Sequence, residues 1–249
     1  MQIAPSNPAT ASASHLTPAH ATPAYTAVGS AAVSATVAQL RQRIAEMEPA
    51  RLDDSQLPTD AAFAPLFHGG SLRRGCAYTV EGSLQLALAL MSQASQQGVW
   101  CGIVGFPQLG VEAVRDAGVD LSRLVWIPSP GTAHFTTLTS LVEVLGVVLT
   151  DALTVSASQT ERIATRLREN RSTLIAVHRW AGSESQVTVE ASQWFGLEQG
   201  FGILQARELR VVSRTRVGFQ RCTLRFNRCG VQRVDPARPA QQHLRAVRP

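Results

Sequence analysis

Between Cys76 and Trp180 the chain alternates short apolar runs with segments of helical character, and this alternation leaves few architectures open. The runs "CAYTV" (76–80), "VWCGIVGF" (99–106), "RLVWIP", "GVVLTD" ending at Asp151, and "TLIAVHRW" read as strands. Between them, "SLQLALALMSQASQQ" (83–97), "VEAVRDAG", "AHFTTLTSLVEVL" and "SQTERIATRLREN" read as helices. Leucines at 84, 86, 88 and 90 alternate as in a strand. The segment is nevertheless rich in Ala and Gln, lacks β-branched residues, opens on a capping Ser83 and runs long before Gly98, so a buried helix is expected. The repeated order predicts an α/β fold with a mostly parallel sheet covered by helices on both faces.

The flanks differ in style. After Gly182 the runs "QVTVEAS", "RELRVVSRT" and "FQRCTLRF" are punctuated by glycines and read as antiparallel strands added at a sheet edge. Residues 1–36 are dominated by Ala, Ser, Thr and Pro and are expected to form a disordered leader. In "TVAQLRQRIAEMEPA", Val37, Leu40, Ile44 and Met47 recur at helical spacing up to Pro49. That apolar stripe must dock on its own domain or on a partner. From Asp235 a disordered basic tail is expected, which makes 37–234 the folded domain with its N-terminal helix.

Charge is unevenly spread. Residues 1–206 hold 12 Arg against 16 Asp and Glu, a net of −4; residues 207–249 hold 11 Arg against Glu208 and Asp235, a net of +9. Arg207, Arg210, Arg214, Arg216, Arg221, Arg225 and Arg228 crowd the last strands. In "RVVSRTR" arginines alternate along one face, which suits either tracking of phosphates or protection of an exposed edge strand by charge. The four cysteines form no C-x-x-C pair. They read as reduced thiols, with Cys101 in the core and no metal site expected. No apolar run is long enough to span a bilayer, and no basic segment precedes a hydrophobic one, so a cytoplasmic protein is expected.

In an open parallel sheet, ligands bind beyond the carboxyl ends of the strands, here the turns after Val80, Phe106, Asp151 and Val177. A phosphate site at such a turn needs several convergent backbone N–H groups, a lysine, and a Ser or Thr hydroxyl for magnesium. The chain contains no lysine, and Glu81–Gly82 passes directly into Ser83–Leu84. A triad of Ser83, His178 and Asp151 has no nucleophile-elbow motif around the serine.

The order and spacing of "RGCAYTVEG", "GVWCGIVGF", "AGVDLSRLVWIPSPG" and "VVLTDALTV" resemble the ATPase core of RecA-type recombinases. More closely, they resemble the ImuA branch of the RecA/SulA-like group, of the actinobacterial ImuA′ type, over about residues 35–225. Set against that pattern, Gly82 matches the glycine before the phosphate-loop lysine. Ser83 and Leu84 stand in the lysine and hydroxyl places, and the loop before Gly82 is several residues short. The water-activating acid falls near Pro107, and Arg179, with His178 beside it, replaces the phosphate-sensing glutamine. Asp151 alone stands where the magnesium-associated carboxylate belongs. Phosphoryl transfer depends on positioned charge and metal, so these losses together, with Glu81 repelling a triphosphate, imply no ATP hydrolysis and no cofactor. The alternative is an unusual site charged by Arg73, Arg74 or Arg179.

The resemblance further implies a non-catalytic adaptor of a DNA-damage-induced translesion complex, a mutasome. It would bind an ImuB-like Y-family polymerase homologue and, indirectly, an error-prone replicative-type polymerase, engaging the nucleoid when active. Self-association or partner docking falls to the helix of Leu40, Ile44 and Met47. In RecA-type proteins the DNA-contacting loop follows the strand matching "LIAVHRW", which would place Arg179 and Trp180 against single-stranded DNA. Residues 180–206 hold no arginine and three glutamates, which argues against contact there. Phe201 reads as core, and Trp194 reads equally as core or interface. A SulA-like inhibitor of a cell-division GTPase, and an active recombinase-like ATPase, are the competing readings.

Overall fold

Strands that cross the middle of an α/β domain must be apolar on both faces, and here the sequence meets that demand. β1 (Ala77–Glu81), β2 (Cys101–Val104), β4 (Val147–Thr150) and β5 (Thr173–Ala176) are buried along almost their whole length. The computed structural model describes residues 55–151, 154–198 and 201–234, all within the compact unit Leu52–Pro249. The leader, the helix expected at Leu40, Ile44 and Met47, and the tail from Asp235 lie outside the described residues.

The remaining elements are β3 (Leu124–Ile127), β6 (Ser185–Glu198), β7 (Phe201–Thr215), β8 (Gly218–Asn227) and β9 (Gly230–Val234), with helices α1 (Leu84–Gln96), α2 (Val111–Asp116), α3 (His134–Val144) and α4 (Ala157–Asn170). Among the described residues they form one sheet in the order β3-β2-β4-β5-β1-β6-β7-β8-β9. Pairing is parallel from β3 through β6 and antiparallel from β6 through β9.

Helix α1 resolves the ambiguity of its leucine pattern. Ser83 caps it, its Oγ accepting the Leu86 N–H at 3.2 Å, and Leu86 through Met91 are all buried. The helix's partly exposed polar residues, Gln85, Ser92, Gln93 and Gln96, leave a wide buried surface on its other sides, which is why its leucines fit no single stripe. It joins the 3₁₀ turn Ala61–Leu66, a feature without a periodic signal, in a core that includes Phe63, Leu90, Ile103, Leu149, Leu209 and Leu224. A second core contains Leu138, Val142, Ile163, Leu167 and Trp180, with residues of α3 and α4. Helix α4 is the amphipathic case. A capping box of Ser156 and Gln159 starts it, Ile163 and Leu167 are its buried stripe, and Arg171 at φ 54° stops it.

Two expectations need correction. The run "TLIAVHRW" stays a strand only to Ala176, because Val177–Trp180 turn away; Trp180 N–H donates to Thr79 Oγ1 at 3.1 Å and Ser183 Oγ donates to Trp180 O at 3.1 Å. The segments after Gly182 are also long rather than short. The first of them, β6, extends the parallel sheet by pairing with β1 before the antiparallel series begins. Glycine and polar residues break its hydrophobic alternation, but a bulge at Glu190 and a register irregularity at Gly196, where three residues of β7 face one of β6, carry the pairing past them.

The four cysteines are free, Cys101 buried and Cys229 exposed. Burial pushes the Cys101 thiol up to about 12 and the Cys222 thiol up to about 11. A thiol reagent at neutral pH should therefore label Cys229 within minutes and Cys101 only after unfolding, as read by mass spectrometry of timed digests. Leu149→Ala, a cavity in a fully buried strand, should cost about 2–5 kcal/mol in chemical denaturation.

Candidate functional site

Because β2, β4, β5 and β1 are neighbours and parallel, their carboxyl ends meet along one edge. The chain there is drawn unusually close. Gly105, at φ 89°, follows β2, and a Cβ on it would stand 2.8 Å from Asp151 Cβ, so glycine is what lets the carboxylate sit against this turn. The Asp151 N–H donates to Val104 O at 3.1 Å, and the Trp126 indole donates to Gly105 O at 3.2 Å.

Two histidines attend this corner. His178 Nε2 lies 3.4 Å from Asp151 Oδ1, and His134 Nε2 lies 3.0 Å from Thr150 Oγ1, which donates to Asp151 O at 3.3 Å. Burial holds the His134 pKa below its ordinary value, against the opposing pull of the Asp151 charge. His134 had no motif to mark it; its signal is positional, as the first residue of the helix entered from the edge turn. Among the described residues no group of three or more His, Cys, Asp or Glu is placed to hold a metal ion.

At the end of β1 the turn into α1 is two residues long. Gly82 takes φ 90°, and Ser83 is the buried cap whose hydroxyl already accepts one of the free helix N–H groups. Leu84 is the first helical residue. Beside this turn runs β6: a Cβ on Gly82 would stand 3.1 Å from Val189 Cβ. Glu81 Oε2 accepts a long hydrogen bond from Thr188 Oγ1 at 3.5 Å. Pro107 and Arg179 are exposed on separate turns of the same edge.

Trp180 is not on this surface. Its side chain is only 5% exposed and belongs to the core of Leu138, Ile163 and Leu167. The weaker of the two readings, in which Trp180 stacks on DNA, is therefore corrected: the ring is occupied in packing, and only Arg179 of that pair faces solvent. A groove of about 520 Å³ runs past it, lined by Cys76, Ala157, Thr160, Ala164, Arg168 and Arg216 among others.

The strands β6 and β7 outrun their neighbours. β1 pairs with β6 only as far as Glu81↔Thr188, and β8 pairs with β7 only as far as Asn227↔Ala206, so residues 196–198 and 201–205 form a two-stranded arm beyond the sheet. Trp194, Leu197, Ile203 and Leu204 are exposed on or beside it. Gly196 and Gly202 shape it, for a Cβ at either would meet backbone oxygen at 2.2 Å and 2.4 Å. Trp194 is opposite Arg207, whose guanidinium lies 4.9 Å from the ring centroid, donates to Ser192 Oγ at 2.9 Å and reaches Gln85 Oε1 at 3.3 Å. A cleft of about 340 Å³ between this cluster and α1 is lined by Gln85, Trp194, Leu204, Arg207 and Arg228.

The arginine-dense segment divides in two, and within "RVVSRTR" Arg210 and Arg214 share one face as expected. Arg207 shares its side of the sheet with buried Leu209 and Val211, whereas Arg210 and Arg214 point to the opposite, exposed side, and Arg216 lies in the turn after β7. Between Ala206 and Thr215 β7 pairs with β8 without a shift, so Arg207 shares a face with Leu209, Val211 and Ser213, while Arg210 and Arg214 share the other with Val212, which is covered there to 3% exposure.

The model of the MT3502 N-terminal domain family matches residues 65–182. The uncharacterized protein Rv3395c of Mycobacterium tuberculosis is 28% identical over 120 residues, 47% of this chain and 59% of that protein. The chain thus spans little more than half of that relative's length. The RadB recombinase crystal structure superposes with a TM-score of 0.50 at 13% identity, over 71% of this chain and 98% of that one. The flagellar accessory protein FlaH of Methanocaldococcus jannaschii gives 0.46 at 13% identity, over 73% and 98%. The fold is accordingly RecA-like, with a mostly parallel central sheet and antiparallel strands toward the C-terminus.

A histidine held neutral by burial favours folding only while the unfolded chain is also neutral. Stability from His134 is full above the ordinary value of 6.5 and is lost as pH falls from there through the depressed folded value. The melting temperature should fall on acidification below about 6.5, and His134→Gln should flatten that slope in a calorimetric pH series.

Proposed function

We propose that the chain is a RecA-fold adaptor without ATPase chemistry. It serves a DNA-damage-induced translesion assembly by binding an ImuB-like Y-family polymerase homologue and, through it, an error-prone replicative-type polymerase. The observation that carries this reading is the arm. A solvated hairpin has no use for Trp194, Leu197, Ile203 and Leu204 together on its surface, whereas a large aromatic ring braced by an arginine and flanked by aliphatic side chains has the composition of an interface anchor.

The edge of the parallel sheet supports the non-catalytic half of the reading. Closing a triphosphate site takes a loop long enough to aim several N–H groups at phosphate oxygens, and a cation that follows the charge as it moves. The two-residue turn Gly82–Ser83 supplies neither, since Ser83 spends its hydroxyl on the cap and the chain has no lysine. Asp151, which stands at the magnesium-associated position, has the His178 ring as a neighbour at 3.4 Å. The sequence resemblance to the ImuA′ type supplies the choice of partner.

Co-expression with the ImuB-like protein of the same genome should give a complex that survives gel filtration. Trp194→Ala with Ile203→Ser should weaken it at least tenfold in titration calorimetry, as expected for an aromatic anchor worth about 2 kcal/mol or more. Failure of the wild-type pair to associate would sink the adaptor reading. In parallel, ATP titration should show no saturable binding; phosphate release that disappears in Asp151→Ala would overturn the non-catalytic half alone.

A further inference from the structure

The open face of the antiparallel strands carries a second feature that the arm does not use. Register places Gln186, Arg214 and Phe219 in one row, Thr188, Val212 and Arg221 in the next, then Ala191, Arg210 and Thr223, and then Gln193, Glu208 and Arg225. All of these point away from the core that holds Leu209, Val211 and Leu224. Arg221 is diagonal to both Arg210 and Arg214, a separation of roughly 7–8 Å between side-chain origins. Three guanidinium groups therefore repel one another across a single patch. Glu190 lies 3.6 Å from Arg221 and Glu208 lies 3.3 Å from Arg225. Among the described residues no carboxylate forms an ion pair with Arg210, Arg214 or Arg216.

Each end of the patch carries an aromatic ring under an arginine. Arg221 lies 5.1 Å from the Phe219 ring centroid, with Phe219 61% exposed, and Arg225 lies 4.9 Å from that of Phe195. From the Phe219 row to the Phe195 row is eight residues of β7, roughly 26 Å. A strand face protected only against edge pairing needs charges of either sign and no exposed phenylalanine. Arg210 and Arg214 without a carboxylate partner among the described residues, Arg221 paired only with part-exposed Glu190, and ring faces at both ends fit a polyanion that also offers flat bases.

We propose that this face, centred on Arg210, Arg214 and Arg221 and bounded by Phe219 and Phe195, binds single-stranded nucleic acid. The arginines contact successive phosphates and Phe219 stacks on a base. Duplex DNA hides its bases from such a ring, whereas a single strand presents them. The site lies on the opposite side of the sheet from the Trp194–Arg207 cluster, so strand and protein partner need not compete. The inference deepens the adaptor reading and rests on it for its setting, since it gives the adaptor a grip on the template beside its grip on a polymerase homologue.

The test uses the full chain and a fluorescein-labelled oligothymidine 20-mer, read by anisotropy from 50 to 300 mM NaCl. Wild type should bind with an affinity that falls steeply with salt. Arg210→Ala, Arg214→Ala and Arg221→Ala combined should lower affinity more than tenfold and reduce the log–log salt slope by about 2, as expected for three lost phosphate contacts on a single strand. Phe219→Ala should weaken binding several-fold without changing the slope. A thermal melt within a few degrees of wild type guards against misfolding, and Arg210→Gln with Arg214→Gln gives a second, milder variant. No binding by wild type at 50 mM salt, a triple variant that binds as wild type, equal binding of a duplex 20-mer, or displacement by poly-glutamate at equal charge would each overturn the proposal. Loss of the polymerase homologue with oligonucleotide binding intact would strike the adaptor reading and leave this one standing.

Discussion

The pairing of β1 on both sides is the constraint from which the rest of the molecule follows. It takes β5 on one edge and β6 on the other, both parallel, and its side chains feed both cores: Tyr78 and Val80 belong to one, Ala77 to the other. Polar atoms within it are spent on holding its neighbours. The Tyr78 hydroxyl accepts the Arg73 N–H at 2.8 Å, and Thr79 ties down the 180–183 turn through Trp180 and Ser183. A strand so fully committed leaves the helix that follows little freedom of approach, and the two-residue turn at Gly82–Ser83 is the outcome.

That turn and the arm are two consequences of one arrangement. β6 runs beside β1 and continues past it, so Val189 stands against Gly82 and the strand carries on into the arm. The sheet edge where a RecA-like fold would place a nucleotide is thus flanked by the root of the arm. The partner contact proposed at Trp194 and the nucleic-acid contact proposed at Arg210 and Arg214 lie on opposite sides of the same ribbon. Its alternation of residues separates them without any additional domain.

Much of the parallel half was legible because its strands are short, apolar and separated by capped helices. Ser83 and Gly98 each mark a boundary where the structure has one, and the helix read as "SQTERIATRLREN" begins one residue earlier, at Ala157, behind a Ser156–Gln159 capping box. The antiparallel half was less so: the bulge at Glu190 flips the side-chain parity of β6 partway along, and the irregularity opposite Gly196 leaves three residues of β7 against one, so no simple alternation count follows the strands. Trp180 illustrates a different limit. An aromatic residue after an apolar strand reads equally as surface or core, and a threonine a hundred residues earlier decides between them by accepting its N–H. The corner around Asp151 was half visible. The carboxylate stands at the end of a strand as expected, but Gly105, which admits it, and His134, which attends it, come from two other connections and converge only in three dimensions.

The central position of β1 also has a cost during synthesis. Ala77 pairs with Leu174 and Tyr78 with Ser185, so the strand leaves the ribosome on the order of ten seconds before either partner is made. For that interval a strand whose residues Ala77–Val80 are all destined for burial has neither edge covered, and its nascent chain depends on α1, which follows immediately, to shelter one side. The helix whose leucines mimic a strand is therefore the first cover available to the strand that most needs one.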